Sequence, residues 1–224
     1  MMTSGHMQVW KVTKVYSLGE IETQCKKAAR GVGLSWGLAE EAGIVARHLS
    51  ECSLPGAEAV LTTLRNIDNA GYGYQSGGIF SISTLQSPTN GLFLGIFFLD
   101  RLSYLVGDQI TINKTIVGPL AVVGFLLRLR NEKYRFSVEW HNCFIQLDEN
   151  KFLVSGENVN PEFTTTIKVK ILRSKVKPFN LDLPRIRFPI ADWDVLTEMA
   201  NRTNVRASNT SRLLGAGAGN NENE

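Results

Sequence analysis

Two adjacent carboxylates on one predicted helix are the residues best suited to proton transfer. Glu40 and Glu41 follow Arg30 and Trp36 in the chain, and the helical period places Trp36, Glu40 and Arg47 on one face. A carboxylate beside an indole ring can act as a general acid or base. We expect Glu40 and Glu41 to be catalytic, with Arg30 and Trp36 binding the substrate. The alternative is an exposed helix face whose glutamates form ion pairs with Arg30 or Arg47.

A second group alternates along a predicted strand. Glu139, His141 and Cys143 occupy every other position of RFSVEWHNCF, so they would point to one side of the sheet. Such residues could bind a metal or form a Cys–His nucleophile pair. However, side chains two residues apart on a strand lie roughly 7 Å from each other, and no further ligand completes a metal set. A half-buried polar strand is the favoured interpretation.

The C-terminal end combines hydroxyl, guanidinium and glycine groups. Ser211 and Arg212 precede the tract GAGAG, and glycine backbone N–H groups can hold an anion while arginine binds a carboxylate or phosphate. A P-loop or a dinucleotide fingerprint would need a strand before the glycines and a helix after them. The alternative is a loose terminus. We expect Ser211 and Arg212 to contact the substrate, with the tract ordered near Trp36 and Glu40.

A basic stretch near the C-terminus makes nucleic-acid binding worth considering. It has few aromatic residues and no stacking module, so nucleic acid is not an expected partner. Alternation of Lys168 and Lys170 with apolar residues predicts the solvent face of a strand, where edge lysines would oppose aggregation. The basic residues are Lys168, Lys170, Arg173, Lys175, Lys177, Arg185 and Arg187.

Three helices are predicted before residue 71. Ser17 and Glu20 have capping-box spacing and predict the start of the first helix. The second runs from about Ser35 to Ser50 and contains Gly37 and Gly43, which would allow another backbone to approach closely. Pro55 opens the third helix at its first turn.

Short apolar and β-branched runs follow from Tyr72, separated by Gly, Pro, Asn or Asp. They predict strands, among them Lys133–Leu147 with its aromatic face inward (Phe136, Val138, Trp140 and Phe144), and a hairpin loop at residues 148–150. Between Leu92 and Leu127 the continuous apolar runs fit either buried strands or buried helices. A last helix, capped by Asp192, is expected before the tail. The remaining strand-like runs are 79–84, 91–99, 109–116, 121–130, 151–155 and 163–172.

This order of elements predicts an α+β fold, with three N-terminal helices packed on a mainly antiparallel sheet, one C-terminal helix and a glycine-rich tail. A single domain is expected over residues 1–224. Residues 1–7 would be a tag or disordered, 8–70 helical, 72–190 β-rich, and 191–224 the last helix and tail.

Composition bounds the class of protein. The 224 residues are 43% hydrophobic and 20% charged with a net charge of +3, which is typical of a soluble globular chain and too little for one that coats DNA. Three cysteines without a CxxC pair indicate a reducing compartment. No apolar run is long enough to span a bilayer. We therefore expect a cytoplasmic protein without a metal or organic cofactor.

Two segments resemble a bacterial family classed as a domain of unknown function. They are KKAARGVGLSWGLAEEAGIVARHL, residues 26–49, and TSRLLGAGAG, residues 210–219. The resemblance implies a helical pair at the start and a glycine–alanine tract near the end. In the family this tract runs into an aspartate-rich end, whereas here it is followed by residues 220–224. The family brings no assigned activity.

Two functions remain open. The first is an enzyme or binding protein for a small anionic metabolite, with its site between the second helix and the tail. The second is a non-catalytic partner subunit, as a homo- or hetero-oligomer, in which the same surfaces contact another chain. Convergence of the predicted site residues on one concave pocket would favour the first.

Overall fold

The computed structural model describes residues 12–70, 87–131, 134–148, 151–174 and 185–204. Its helices and sheets confirm the α+β fold. The helices are α1 (Leu18–Gly31), α2 (Trp36–Glu51), α3 (Gly56–Ala70), α4 (Gly91–Asp100), α5 (Leu102–Leu105), α6 (Leu120–Leu126) and α7 (Ile190–Asn201), and a 3-10 turn covers Leu127–Asn131. The strands are β1 (Thr13–Tyr16), β2 (Thr89–Asn90), β3 (Gln109–Ile112), β4 (Ile116–Val117), β5 (Tyr134–Trp140), β6 (Cys143–Asp148), β7 (Lys151–Gly156), β8 (Phe163–Thr164), β9 (Ile167–Arg173) and β10 (Ile186–Pro189).

The predicted capping box starts α1. Ser17 Oγ accepts a hydrogen bond from the Glu20 amide at 3.2 Å, and the Ser17 amide donates to Glu20 Oε2 at 2.8 Å. The two bonds satisfy amides at the start of α1 that have no partner inside the helix. The apolar stripe of α1 is buried, and the helix packs on α2 and α7.

The two glycines of α2 have different roles. An ideal Cβ on Gly43 would lie 2.7 Å from the carbonyl oxygen of Glu22, so its missing side chain lets α2 approach the backbone of α1 closely. Nothing lies within 4 Å of the corresponding position on Gly37. The predicted close approach is therefore confirmed at Gly43 and wrong at Gly37.

The ambiguous region between Leu92 and Leu127 contains helices at both ends. The strand-like runs 91–99 and 121–130 form α4, α6 and the 3-10 turn, with β3 and β4 between them. Asn90 caps α4 by accepting a hydrogen bond from the Leu92 amide at 3.0 Å. All seven residues of α6 are buried, and this helix contacts α2, α3 and α4. A helix covered on every side has no polar face, so its sequence shows no helical period.

The main sheet has the strand order β3-β9-β5-β6-β7, and each neighbouring pair is antiparallel. β6 and β7 are antiparallel, and Asp148 pairs with Lys151, so the strands on both sides of the predicted hairpin loop are paired. Residues 149 and 150 of that loop lie outside the described residues. Two smaller sheets accompany the main one. β1 pairs with β10, and β4 lies between β2 and β8.

A hairpin divides the single strand predicted over Lys133–Leu147. The chain reverses at residues 141 and 142, and His141 has a φ of 44°. Trp140 therefore pairs with Cys143, and both are buried together with Phe136 and Val138 on the inner face. The prediction was correct for Trp140 but wrong for Phe144, which is exposed, and for Cys143, which is inside.

Two further predictions need correction. β9 lies between β3 and β5, so Lys168 and Lys170 are on the solvent face of an interior strand rather than on an edge. α7 begins at Ile190 after Pro189, and Asp192 lies within its first turn instead of capping it. Among the described helices, none is both long and apolar enough to cross a membrane. The predicted strand 79–84 and the C-terminal tail lie outside the described residues.

Candidate functional site

A cleft of 590 Å³ opens beside the first two turns of α2. Its apolar lining comes from α2, α4, α5, α6 and the 3-10 turn, and Ser35, Gly37, Glu41, Asp100 and Arg128 add polar groups. The volume lies within the range of about 300–1,000 Å³ common for small-molecule sites. The apolar lining residues are Leu38, Ile96, Leu99, Leu102, Phe125 and Leu129.

Glu41 is the predicted site residue that lies in this cleft. Its Oε2 accepts a hydrogen bond from Arg128 Nη1 at 2.5 Å, and the two side chains are 29% and 38% exposed. The pair joins α2 to the 3-10 turn, and both residues line the cleft. An arginine that solvent reaches from a concave surface can bind a carboxylate or phosphate through two parallel hydrogen bonds.

Glu40 is directed toward α1. It forms an ion pair with Lys26 at 2.7 Å, and its side chain is 55% exposed. This is the surface pairing of the alternative interpretation, although the partner is Lys26 instead of Arg30 or Arg47. The two adjacent glutamates therefore lie on different surfaces, with Glu40 against α1 and Glu41 in the cleft.

Arg30 and Trp36 contact each other where α1 ends and α2 begins. The guanidinium of Arg30 lies 4.6 Å from the centre of the Trp36 ring, and its Nη1 donates to the carbonyl oxygen of Leu34. Trp36 is 65% exposed. Its chain neighbours Ser35 and Gly37 line the cleft, but Arg30 and Trp36 themselves do not. Of the predicted site residues that the structure describes, Glu41 alone lines the cleft, so they do not converge on one pocket. Ser211 and Arg212 lie outside the described residues.

The hairpin separates Glu139, His141 and Cys143. Glu139 pairs with Lys168 at 2.9 Å, His141 Nδ1 lies 2.9 Å from Thr164 Oγ1, and Cys143 is buried, where burial raises its pKa. The prediction that these three side chains share one side is therefore wrong. Within the described residues, no group of three or more His, Cys, Asp or Glu side chains is placed to hold a metal ion.

A buried charge network joins the end of α2 to the 3-10 turn. Glu51 is 8% exposed and pairs with Arg47 at 2.9 Å and with Arg130 at 2.6 Å. Burial and the nearby Arg130 lower the pKa of His48, whose Nδ1 lies 3.4 Å from the Gly124 carbonyl oxygen. Burial raises the pKa of Cys52 to about 12. These groups hold the helices together and do not line the α2 cleft.

Sequence reasoning missed Arg128 and Asp100. Arg128 ends the apolar run that begins at Ile116, and a charge at such a boundary is a visible signal. Its partner Glu41 is 87 residues away in the chain, a pairing that only the fold reveals.

One comparison with known proteins found a match. Residues 16–77 match a family described as "Protein of unknown function (DUF3726)". The DUF3726 segment contains α1, α2 and α3, and with them Arg30, Trp36, Glu40 and Glu41. Arg128 and Asp100, which complete the cleft, lie outside it. No curated protein and no solved structure matches the chain.

Proposed function

We propose that the protein binds a small anionic metabolite in the α2 cleft. The observation that carries this proposal is the Arg128–Glu41 pair inside a concave space of 590 Å³ that is lined by both apolar and polar groups. In small-molecule sites the apolar surface supplies affinity and the polar groups fix the orientation of the ligand.

Arg128 is the anion-binding group of this proposal, and a bound anion must overcome the repulsion of Asp100, the second carboxylate of the described lining. In the free protein the Arg128 guanidinium donates a hydrogen bond to Glu41. When the ligand binds, one or both N–H edges of the guanidinium would donate to a ligand carboxylate or phosphate instead. Ser35 and Gly37 bring the N-terminal turn of α2 into the same cleft, where the partial positive charge of a 16-residue helix favours an anion. Arg30 and Trp36 do not line the cleft, and we propose that they contact a ligand that extends beyond it.

Glu41 is the group that would transfer a proton if the bound metabolite is also transformed. An incoming anion competes with it for Arg128, and this exchange brings the carboxylate next to the ligand. Glu40 lies outside the cleft, and its proposed role is to order the junction of α1 and α2 through its pair with Lys26.

A thermal-shift screen with a library of anionic metabolites tests the proposal. A ligand at 100 times its Kd adds about 2.7 kcal/mol of stability. We expect hits that Arg128→Gln abolishes. Arg135→Gln is the matched control, because Arg135 is 39% exposed and also paired, with Asp148, but lies on the main sheet. The absence of any hit, or hits that survive Arg128→Gln, would contradict the proposal.

The tail residues Ser211 and Arg212 are proposed as further contacts to the same ligand. Deletion of residues 210–224 tests this role. A lower melting temperature or weaker binding would support it. A truncated protein that melts at the same temperature and binds the same hits would show that the tail has no role within the molecule.

The second candidate, a partner subunit, is favoured by exposed aromatic residues beside the cleft. Trp36 is 65% and Tyr104 is 80% exposed, and Tyr104 lies in α5 with the cleft residue Leu102. Aromatic residues are enriched at protein interfaces. If the protein is a partner subunit, Trp36→Ala would weaken a self-association visible in sedimentation, and the screen would give no hits.

The proposed location of the protein is the cytoplasm, for either function. The cysteines of the described residues are free thiols, which fits a reducing compartment.

A further inference from the structure

A second cleft, of 560 Å³, lies between α3 and the small sheet β2-β4-β8. One wall is a polar stripe of α3 formed by Thr62, Asn66 and Asn69 at helical spacing. Thr115, Asn160 and Phe163 belong to the opposite wall. The α2 cleft shares no lining residue with this one, so the proposed function does not account for it.

Three asparagine amides give this cleft unusual hydrogen-bonding capacity. Asn66 Oδ1 accepts a bond from Asn90 Nδ2 at 3.1 Å, which fixes the amide and leaves its Nδ2 to donate elsewhere. Asn160 Oδ1 is buried, and none of the described residues donates to it. Such a buried acceptor favours a ligand that brings a donor. Each amide can both donate and accept, which matches hydroxyl groups.

The charges of this lining are either paired or exposed. Among the described lining residues, Arg65 is the one basic residue and already pairs with Asp192 at 3.1 Å. Glu162 is the one acidic residue among the described lining residues, and it is exposed, so solvent screens its charge. A charged ligand would gain little from a paired arginine and a screened carboxylate, so a neutral ligand fits better.

Phe163 adds an apolar surface to this polar cleft. Its side chain is 55% exposed in β8, whose neighbour Thr164 is buried. An exposed aromatic ring next to amides and hydroxyls matches a ring that has an apolar C–H face and polar edges. Together, the amides, the paired or screened charges and the aromatic ring point to one ligand class. We infer that this cleft binds a neutral saccharide.

Ligand-observed NMR with glucose, galactose, N-acetylglucosamine and sucrose tests the inference on the full chain. Each probe is used at about 10 mM, which fills most of a site whose Kd is 1 mM. Sugars at high concentration also stabilise proteins by exclusion from the surface, so saturation transfer is measured instead of the melting temperature. We expect transfer to at least one probe.

Four variants locate the bound probe. Phe163→Ala should weaken binding about 2- to 10-fold, the range expected for an aromatic contact, and Asn69→Ala should also weaken it without disturbing a buried residue. Phe144→Ala is the matched control, because Phe144 is an exposed phenylalanine on the main sheet. Arg128→Gln should leave saccharide binding unchanged, which separates this inference from the proposed function. Absence of transfer from every probe, or binding that survives both Phe163→Ala and Asn69→Ala, would overturn the inference.

Discussion

Arg130 and Glu51 form an ion pair of 2.6 Å where the 3-10 turn meets the last turn of α2. Glu51 is 8% exposed, and Arg47 adds a second pair at 2.9 Å. Burial opposes the ionisation of Glu51, but the hydrogen bonds from Arg130 and Arg47 outweigh it and lower the pKa of the carboxyl. The described structure therefore contains a carboxylate that depends on its arginines.

Replacement of Arg130 by methionine should destabilise the protein by about 3 kcal/mol, because it leaves the buried Glu51 with one partner. Urea unfolding measures the loss. The double variant Glu51→Gln/Arg130→Met should recover part of it, since the unpaired charge is gone. The single variant Glu51→Gln completes the comparison. If the free-energy losses of Glu51→Gln and Arg130→Met simply add in the double variant, Glu51 and Arg130 are not coupled.

Mild acid should destabilise the protein through His48. Burial, followed by the nearby Arg130, lowers the pKa of His48 below its usual 6.5, so the unfolded chain binds a proton more readily than the folded one. Stability from this group is complete above pH 6.5 and falls as the pH drops toward the lowered value.

Melting temperatures measured across this range in the wild type and in His48→Gln check the assignment. The variant should lose most of the slope below pH 6.5. Glu51 acts separately, because its lowered pKa places its loss of stability below pH 4.5. An unchanged slope in His48→Gln would assign the effect to other groups.

The two glycines of α2 provide a matched pair of substitutions. Gly37→Ala should stabilise the protein by roughly 0.5–1 kcal/mol, because the site is open and alanine favours the helix. Gly43→Ala should cost about 1–3 kcal/mol, because the added methyl meets the backbone of Glu22. Urea unfolding of both variants gives the signs, and equal effects would contradict the different packing of the two positions.

The native thiols should react slowly with a disulfide reagent at pH 8. Burial raises the pKa of Cys25 and Cys143, and raises that of Cys52 to about 12, so little thiolate is present. The same reagent should titrate all three cysteines of the sequence in denaturant. Rapid reaction of one native thiol would indicate an activated cysteine.

Local signals in the sequence predicted the helical part well. Ser17, Glu20 and Ser35 cap helices through bonds to residues three positions away, so spacing alone locates them. The helix α6 was ambiguous because burial on all sides removes the polar face that reveals a period.

The candidate site was only partly predictable. Glu41 was identified by its type and position, but its partner Arg128 is brought to it by a fold that links distant segments. The hairpin at residues 141 and 142 lacks the Asn-Gly or Asp-Gly signal of tight turns, so a continuous strand was expected and Cys143 was placed on the wrong face.

Gly31 lets the last helix of the chain pack against the first. An ideal Cβ there would lie 1.7 Å from the Met199 carbonyl oxygen, so α7 rests directly on the backbone of α1. On the ribosome, α1, α2 and α3 emerge long before α7, and the surface of α1 that α7 covers must stay open until then. An isolated fragment of residues 16–77 would keep that surface exposed and should self-associate. Addition of a peptide that spans α7 should cover the surface and reduce this self-association.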